Sequence, residues 1–245
     1  MCRHLAYLGR PVRLGELLVD PPHSLYRQSW APRRQTSGVV NADGFGVGWY
    51  VDGHVEPVRH RAGGPIWTDE TFADLARVMR SGAVLAAVRS ATVGMASGVA
   101  AAAPFRDGRW LFSHNGAVRG WPQAASRLAW GLDPGVVATA EAATDSALLW
   151  VRLRELLRSG KAPEAAVVEV IGRVADAGGG AVNLLLTDGE RIVASAVGAS
   201  LSWRIDDRGV VVASEPSDDG TGWSDVADGS LLTATRTDVD VRALP

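Results

Sequence analysis

Apolar residues along this chain recur with two periods, and the changes between them mark its elements. A period of two, which sends alternate side chains to opposite faces of a strand, runs through 44–51, where Phe45, Val47 and Trp49 alternate with Gly44, Gly46 and Gly48. Alternate glycines on one face suit close packing of a helix, another sheet or a ligand. Short apolar runs at 3–8, 84–89 and 109–114 read as strands, the first ending at Gly9-Arg10-Pro11. Asp52-Gly53 is a two-residue hairpin signal that would fold 54–60 back on the strand before it.

Helical spacing appears where Thr68 or Asp69 can cap a segment running to Arg80, with Phe72, Leu75, Ala76 and Met79 on one face. It returns after Thr144-Asp145, with Leu148, Leu149, Leu153, Leu156 and Leu157 along a stripe. A further helix spans 162–177 and ends at Gly178-Gly179-Gly180. A short one at 13–19 is stopped by Pro21-Pro22. After the 162–177 helix come only short strands, at 181–187, 191–197, 201–206, 209–214, 230–235 and 238–243. Strands in runs, with helices grouped between them, predict an α+β fold of antiparallel sheets with helices on their outer faces. There is no internal repeat, low-complexity tract or linker, so a single domain over 1–245 is expected.

Composition narrows the class of protein. At 245 residues, 47% hydrophobic and 21% charged, the chain matches an ordinary globular protein with a substantial core. A net charge of −2 with scattered lysines and arginines leaves no nucleic-acid footprint. No run of about 18 apolar residues is present to span a membrane. Met1-Cys2-Arg3-His4-Leu5 lacks the apolar stretch of a signal peptide. A lone cysteine cannot form an internal disulfide and fits a reducing compartment, so the expected location is cytoplasmic.

That cysteine is the most informative residue. Cys2 follows the initiator methionine, and removal of Met1 would place a thiol and a free α-amine on one residue. An α-amine titrates near 7.7–8.0, so it can accept the thiol proton near neutral pH. The alternative is an unremarkable cysteine in a leader. His114-Asn115-Gly116 offers an amide side chain and a glycine N–H for an oxyanion, or else a hairpin turn. Arg89, at the end of an apolar run, could hold a carboxylate bidentately or be an ordinary salt-bridged arginine. Asp145 could cap its helix or bind an ammonium. The glycines at 44–48 lack dinucleotide or phosphate-loop spacing, and the five histidines show no metal-ligand spacing, so neither cofactor nor metal is expected.

Their order along the chain is more specific than any one of them. Cys2, Arg-x-x-Thr-x-Gly at 89–94, His-Asn-Gly at 114–116 and Thr-Asp-Ser at 144–146 resemble the class II glutamine amidotransferases, which are N-terminal-nucleophile hydrolases. The resemblance implies a four-layer αββα sandwich. It makes Cys2 the nucleophile and assigns the oxyanion hole to Asn115 and the Gly116 N–H. It also puts the glutamyl α-carboxylate on Arg89 and Thr92, and the α-ammonium on Asp145. Met1-Cys2-Arg3-His4, Ala31-Pro32-Arg33-Arg34-Gln35, Asn41-Ala42-Asp43-Gly44 and Val88-Arg89-Ser90-Ala91-Thr92 look like one branch. So do Ser113-His114-Asn115-Gly116, Thr144-Asp145-Ser146-Ala147, Asn183-Leu184-Leu185 and Ser214-Glu215-Pro216, with Trp223 beyond.

That branch is the amidohydrolases of ergothioneine biosynthesis. The implied partner is a small γ-glutamyl substrate, γ-glutamyl-hercynylcysteine sulfoxide, cleaved through a Cys2 thioester without cofactor, metal, nucleic acid, membrane or obligate protein partner. Val93 stands where many ammonia-donating amidotransferases carry histidine, which is compatible with the hydrolase branch. The substrate's distal half carries a trimethylammonium, an imidazole, a sulfoxide and a carboxylate. Arg33 and Arg34 are candidate partners for it, or a solvated basic pair. Two other functions fit the same residues: a glutaminase subunit feeding ammonia to a separate synthase, and an inactive γ-glutamyl-binding module.

Overall fold

The structure is a computed structural model that describes every residue except Met1, Ser37 and Val93. The expectations resting on Met1 and Val93 therefore lie outside the described residues. The chain opens with β1 (Arg3–Arg13), α1 (Leu14–Leu18), α2 (Leu25–Gln28), β2 (Phe45–Trp49) and β3 (Val58–Ala62). It continues through α3 (Glu70–Val78), β4 (Arg80–Val88), β5 (Phe105–Asp107), β6 (Trp110–Val118), α4 (Ala125–Leu128) and α5 (Pro134–Val137). Two long helices, α6 (Asp145–Arg158) and α7 (Pro163–Asp176), precede β7 (Gly180–Thr187), β8 (Ile192–Ala196), β9 (Ser202–Asp206) and β10 (Gly209–Ala213). The last strands are β11 (Ser224–Asp225), β12 (Ser230–Ala234) and β13 (Val239–Ala243).

Two antiparallel sheets result. One has the order β11-β9-β10-β1-β4-β2-β3 and the other β13-β12-β8-β7-β6-β5. The alternation in each strand decides which side chains meet which layer. Leu5 and Tyr7 of β1, with Val84, Ala86 and Val88 of β4 and Phe45, Val47 and Trp49 of β2, face Leu14, Leu18, Phe72 and Ala76 of α1 and α3. Phe112 of β6 and Leu184 and Leu186 of β7 face Leu149, Trp150, Leu153, Val167 and Val170 of α6 and α7. Between the sheets lie Ala6, Leu8, Ala83, Leu85, Leu111, Leu185, Ala194, Val210, Val212 and Leu232. The four layers are helix, sheet, sheet, helix, the αββα sandwich expected.

Local chemistry sets the helix ends. Asp69, rather than Thr68, caps α3, its Oδ1 accepting from Phe72 N at 2.7 Å. Thr144 caps α6 through Ala147 N at 3.2 Å. α7 closes with Gly178 N on the Ala175 carbonyl (3.1 Å) and Gly179 N on the Val174 carbonyl (2.8 Å), with both glycines at positive φ. This is the paired-bond ending that favours glycine.

Two local expectations are corrected. The hairpin after β2 does not turn on Asp52-Gly53 alone: pairing begins at Trp49↔Val58, and a loop spans 50–57. His54 N bonds the Val51 carbonyl inside that loop at 3.0 Å, so the turn signal makes a local bend before the partner strand starts. His114-Asn115-Gly116 is not a turn either; it lies within β6, with Asn115 opposite Asn183 and Gly116 opposite Val182.

The glycines of β2 face the other sheet. A Cβ on Gly46 would lie 2.4 Å from the Ala103 carbonyl oxygen, and one on Gly48 would lie 2.6 Å from Leu111 Cδ1. A backbone carbonyl cannot move aside cheaply, whereas a leucine methyl can. Gly46→Ala is therefore expected to destabilise by about 1–3 kcal/mol, as overpacked cores do, and Gly48→Ala by clearly less. Urea unfolding of the two variants checks this; equal effects would contradict the contact assignment.

Candidate active site

Antiparallel order brings the start of β1, the end of β4, the start of β2 and the end of β10 to one edge of the first sheet. Where the inter-sheet layer reaches that edge it turns from apolar to polar. Cys2 and His4 continue the inward parity of Ala6 and Leu8, and Arg89 that of Leu85. Ser214 continues that of Val210 and Val212, while Ser113 and Asn115 continue that of Leu111. His4 Nδ1 and Ser113 Oγ join the two sheets directly at 3.2 Å.

Cys2 is partly accessible, and its Sγ donates to the Ser90 carbonyl at 3.8 Å. The protein packed around the sulfur pushes the thiol above its ordinary value; the positive charge of Arg89 opposes that and the negative charge of Asp145 reinforces it. Both groups thus act on the same sulfur from positions 87 and 143 residues further along the chain.

Arg89 and Asp145 share a property that sets them apart from most charges here. Arg89, 8% exposed, donates among the described residues only to carbonyls, those of Asp43 (3.3 Å) and Ala96 (2.8 Å). The Asp145 carboxylate, 2% exposed, accepts from Val118 N (2.9 Å), Ser146 N (2.7 Å) and the Ser146 hydroxyl (3.3 Å). Among the described residues neither forms an ion pair. Buried charges are ordinarily paired, so one cation and one anion left open beside a thiol suit a ligand carrying both signs. Asp43 steadies the approach by accepting from Ala91 N at 2.7 Å, while its own N–H donates to the Arg89 carbonyl.

Asn115 is fully buried. Its Nδ2 donates one hydrogen bond, to Ser214 Oγ at 3.3 Å, and its Oδ1 has no partner among the described residues. Gly116 sits at φ +150, and a Cβ there would fall 1.9 Å from the Ala181 carbonyl oxygen, so only glycine fits. His114 is held at both ring nitrogens, with Nδ1 3.0 Å from Ser146 Oγ and Nε2 3.0 Å from the Ala181 carbonyl oxygen. Thr92 is exposed, with no side-chain hydrogen bond to another described residue. The structure thus gathers Cys2, Arg89, Asn115, Gly116 and Asp145, and leaves Thr92 on the neighbouring segment.

A second set of buried groups had no role assigned from sequence. Arg3 donates through Nε to the Cys2 carbonyl (2.7 Å) and pairs with Glu215 at 3.7 Å, both side chains fully enclosed. Glu215 in turn accepts from Arg33 N (2.9 Å) and Arg34 N (2.7 Å). One ion pair therefore ties Cys2 to the 31–35 loop and the end of β10. Ser214 Oγ receives both His4 N (3.0 Å) and Asn115 Nδ2 (3.3 Å). The signal for these residues was their position: charged or polar side chains on strands whose other members are apolar. Among the described residues no group of His, Cys, Asp and Glu could hold a metal ion, and no helix is long and apolar enough to cross a membrane.

The stacked sheets between helical layers, with a thiol at the head of a central strand, define the N-terminal-nucleophile hydrolase architecture. The chain belongs to the class-II glutamine amidotransferases, whose family pattern matches residues 16–205. Proteins named gamma-glutamyl-hercynylcysteine sulfoxide hydrolase are similar to it along its length. The one from Mycolicibacterium smegmatis is 42% identical over 232 residues, covering 95% of each chain. One from Mycobacterium tuberculosis is 42% identical over 245 residues, covering 100% of this chain and 97% of the relative. A solved class-II domain protein from Silicibacter pomeroyi superposes with a TM-score of 0.70 at 25% identity, covering 100% of both chains. Glutamine phosphoribosylpyrophosphate amidotransferase from Bacillus subtilis shares the fold, with a TM-score of 0.65 over 100% of this chain and 49% of its own, at 17% identity.

The enclosed His4 ring carries a pH prediction. Burial holds its pKa well below the ordinary value, with the charges of Arg3 and His114 adding to the effect. The folded state keeps His4 neutral while the unfolded chain binds a proton below about pH 6.5. Stability is therefore complete above that pH and falls as pH drops through it, by up to about 1.4 kcal/mol per unit. Urea titrations between pH 7.5 and 5.5 should show this slope, reduced in His4→Asn.

Proposed function

We propose that this protein hydrolyses the γ-glutamyl amide bond of γ-glutamyl-hercynylcysteine sulfoxide, releasing glutamate and hercynylcysteine sulfoxide, a step in ergothioneine biosynthesis. The observation that carries this reading is the open pair of buried charges beside Cys2. Arg89 would receive the glutamyl α-carboxylate and Asp145 the α-ammonium, leaving the γ-carbonyl to reach the sulfur. Thr92 would add a hydrogen bond to the carboxylate once the 89–94 segment meets substrate. The full-length similarity to enzymes of that name supports the choice of leaving group.

In this mechanism loss of Met1 exposes the Cys2 α-amine. Because burial raises the thiol, free thiolate does not accumulate, and the amine takes the proton as sulfur attacks, directly or through water. Asn115 Nδ2 and the Gly116 N–H stabilise the tetrahedral oxyanion. The C–N bond breaks, the proton passes to the departing amine, and a γ-glutamyl thioester remains. Water, deprotonated by the same α-amine, adds to the thioester carbonyl; glutamate leaves and the thiol is restored. The 245 residues would act as one domain in the cytoplasm, without cofactor or obligate protein partner.

Cys2→Ala should abolish turnover with the fold and substrate binding intact. Asn115→Ala should lower kcat by about 10²–10³-fold, the loss of one oxyanion donor. Arg89→Gln should raise KM by roughly ten- to a hundredfold, the loss of a charge-assisted contact. Steady-state assays with the sulfoxide conjugate, glutamine and γ-glutamylcysteine test the assignment, alongside intact mass to establish that Met1 is gone. Preference for glutamine, or full activity with Met1 retained, would overturn it.

A further inference from the structure

Each sheet ends in two edge strands, and these differ in length and in charge. β5 and β11 have three and two residues. β3 and β13 have five each, Val-Arg-His-Arg-Ala and Val-Asp-Val-Arg-Ala. An open edge offers unpaired N–H and C=O groups to any other strand, and proteins commonly blunt it with charge. β3 carries two charges of one sign, whereas β13 carries one of each, Asp240 and Arg242, placed symmetrically about Val241.

Pairing within the β12–β13 hairpin fixes which way the β13 main chain points. Leu244 N donates to the Gly229 carbonyl at 2.8 Å, and Thr235 N to the Asp238 carbonyl at 2.9 Å. Directly opposed residues in antiparallel strands alternate between hydrogen-bonded and non-bonded pairs. Between those two bonded pairs, Arg242 and Asp240 therefore turn their main chain towards β12, opposite Leu231 and Thr233. Val239, Val241 and Ala243 turn theirs outward, where their N–H and C=O groups have no partner among the described residues. The Val241 side chain is a large apolar group left 40% exposed. Asp240 and Arg242 are exposed, and among the described residues neither forms an ion pair.

We propose that β13 joins a second copy of this chain through an antiparallel, two-fold symmetric pairing centred on Val241. A two-fold interface is self-complementary, so residue i meets j and j meets i. Val241 meets its counterpart, and Val239 meets Ala243 of the copy, as bonded pairs that use the outward main-chain groups. Asp240 meets Arg242 of the copy, and Arg242 meets Asp240, as non-bonded pairs, in which side chains lie closest. Opposite charges in such positions stabilise a strand pair, and like charges oppose it. The equivalent pairing of β3, centred on His60, would set Arg59 against Arg61 and is disfavoured. Two six-stranded sheets thereby become one continuous sheet, with the exposed Val241 side chains brought together. β12, β8 and β7 separate β13 from β6, so the candidate site of each copy stays open.

Sedimentation velocity over a rising concentration series tests this pairing. The 25.8 kDa chain should shift towards twice that mass. Asp240→Arg and Arg242→Asp each set like charges against one another at both positions of the two-fold, so each alone should remain monomeric. An equimolar mixture of these two variants should regain the doubled mass, because opposed charges again differ in sign. A chain carrying both substitutions should regain it too. Val241→Pro removes the central outward N–H without touching the β12 ladder and should also remain monomeric. Asp240, Val241 and Arg242 are exposed, and urea unfolding identifies any variant that has lost its fold. A parent that stays at 25.8 kDa at every concentration would overturn the proposal. So would single charge reversals that associate as the parent does, or a mixture that stays monomeric when the parent does not.

Discussion

The structure depends on the contact between its two sheets. Stacked sheets ordinarily lie about 10 Å apart, and here the layer between them alternates large side chains, such as Leu8, Leu85, Leu111 and Leu185, with small ones, Ala6, Ala83, Ala194 and Ala196, and with Gly46 and Gly48 where backbone and leucine methyls come closest. Each strand contributes alternate residues to this layer, so the parity that buries Leu8 and Leu85 also aims Cys2 and Arg89 inward. The candidate site is the polar end of that one layer, and its position follows from register rather than from a mobile loop.

Two kinds of buried charge meet there, and the difference between them is chemical. Arg3 and Glu215 satisfy one another, and their remaining bonds go to main chain, at the Cys2 carbonyl and the Arg33 and Arg34 amides. Breaking such a pair leaves an uncompensated charge and costs about 3–5 kcal/mol, so it holds Cys2 and the 31–35 loop in register. Arg89 and Asp145 are enclosed as well, but their partners are carbonyls, amides and a hydroxyl. A pair kept apart in this way has the charges to suit a zwitterion. The same enclosure that strengthens these charges raises the Cys2 thiol.

Backbone shape completes the arrangement. Gly116 has a left-handed conformation inside β6, where a side chain would collide with the Ala181 carbonyl oxygen. Asn115 beside it is anchored through Ser214, which also receives His4 N. One hydroxyl from the end of β10 thus couples the first sheet's central strand to the amide on the second. Asp43 does similar work on the other side, bonding the Ala91 amide and meeting the Arg89 main chain.

The long helices and the longer strands were legible from the chain alone, because period and capping are local properties: Asp69, Thr144 and Gly178-Gly179-Gly180 act on neighbours a few residues away. The four-layer sandwich followed from the resemblance carried by the ordered motifs. The residue types of the candidate site were legible as well, in their order from Cys2 to Asp145. Helices of four residues, such as α2 and α5, and the three-residue β5 carry too few positions to show a period. Asp52-Gly53 misled because a turn signal specifies a bend and not the register of the strand after it. Only the folded chain decided that Arg89 and Asp145 have no ionic partner among the described residues while Arg3 has one. Only it decided that Arg33 and Arg34 reach the loop after β10. Pairing and desolvation are set by groups far apart in sequence, so they exist only once the sheets have stacked.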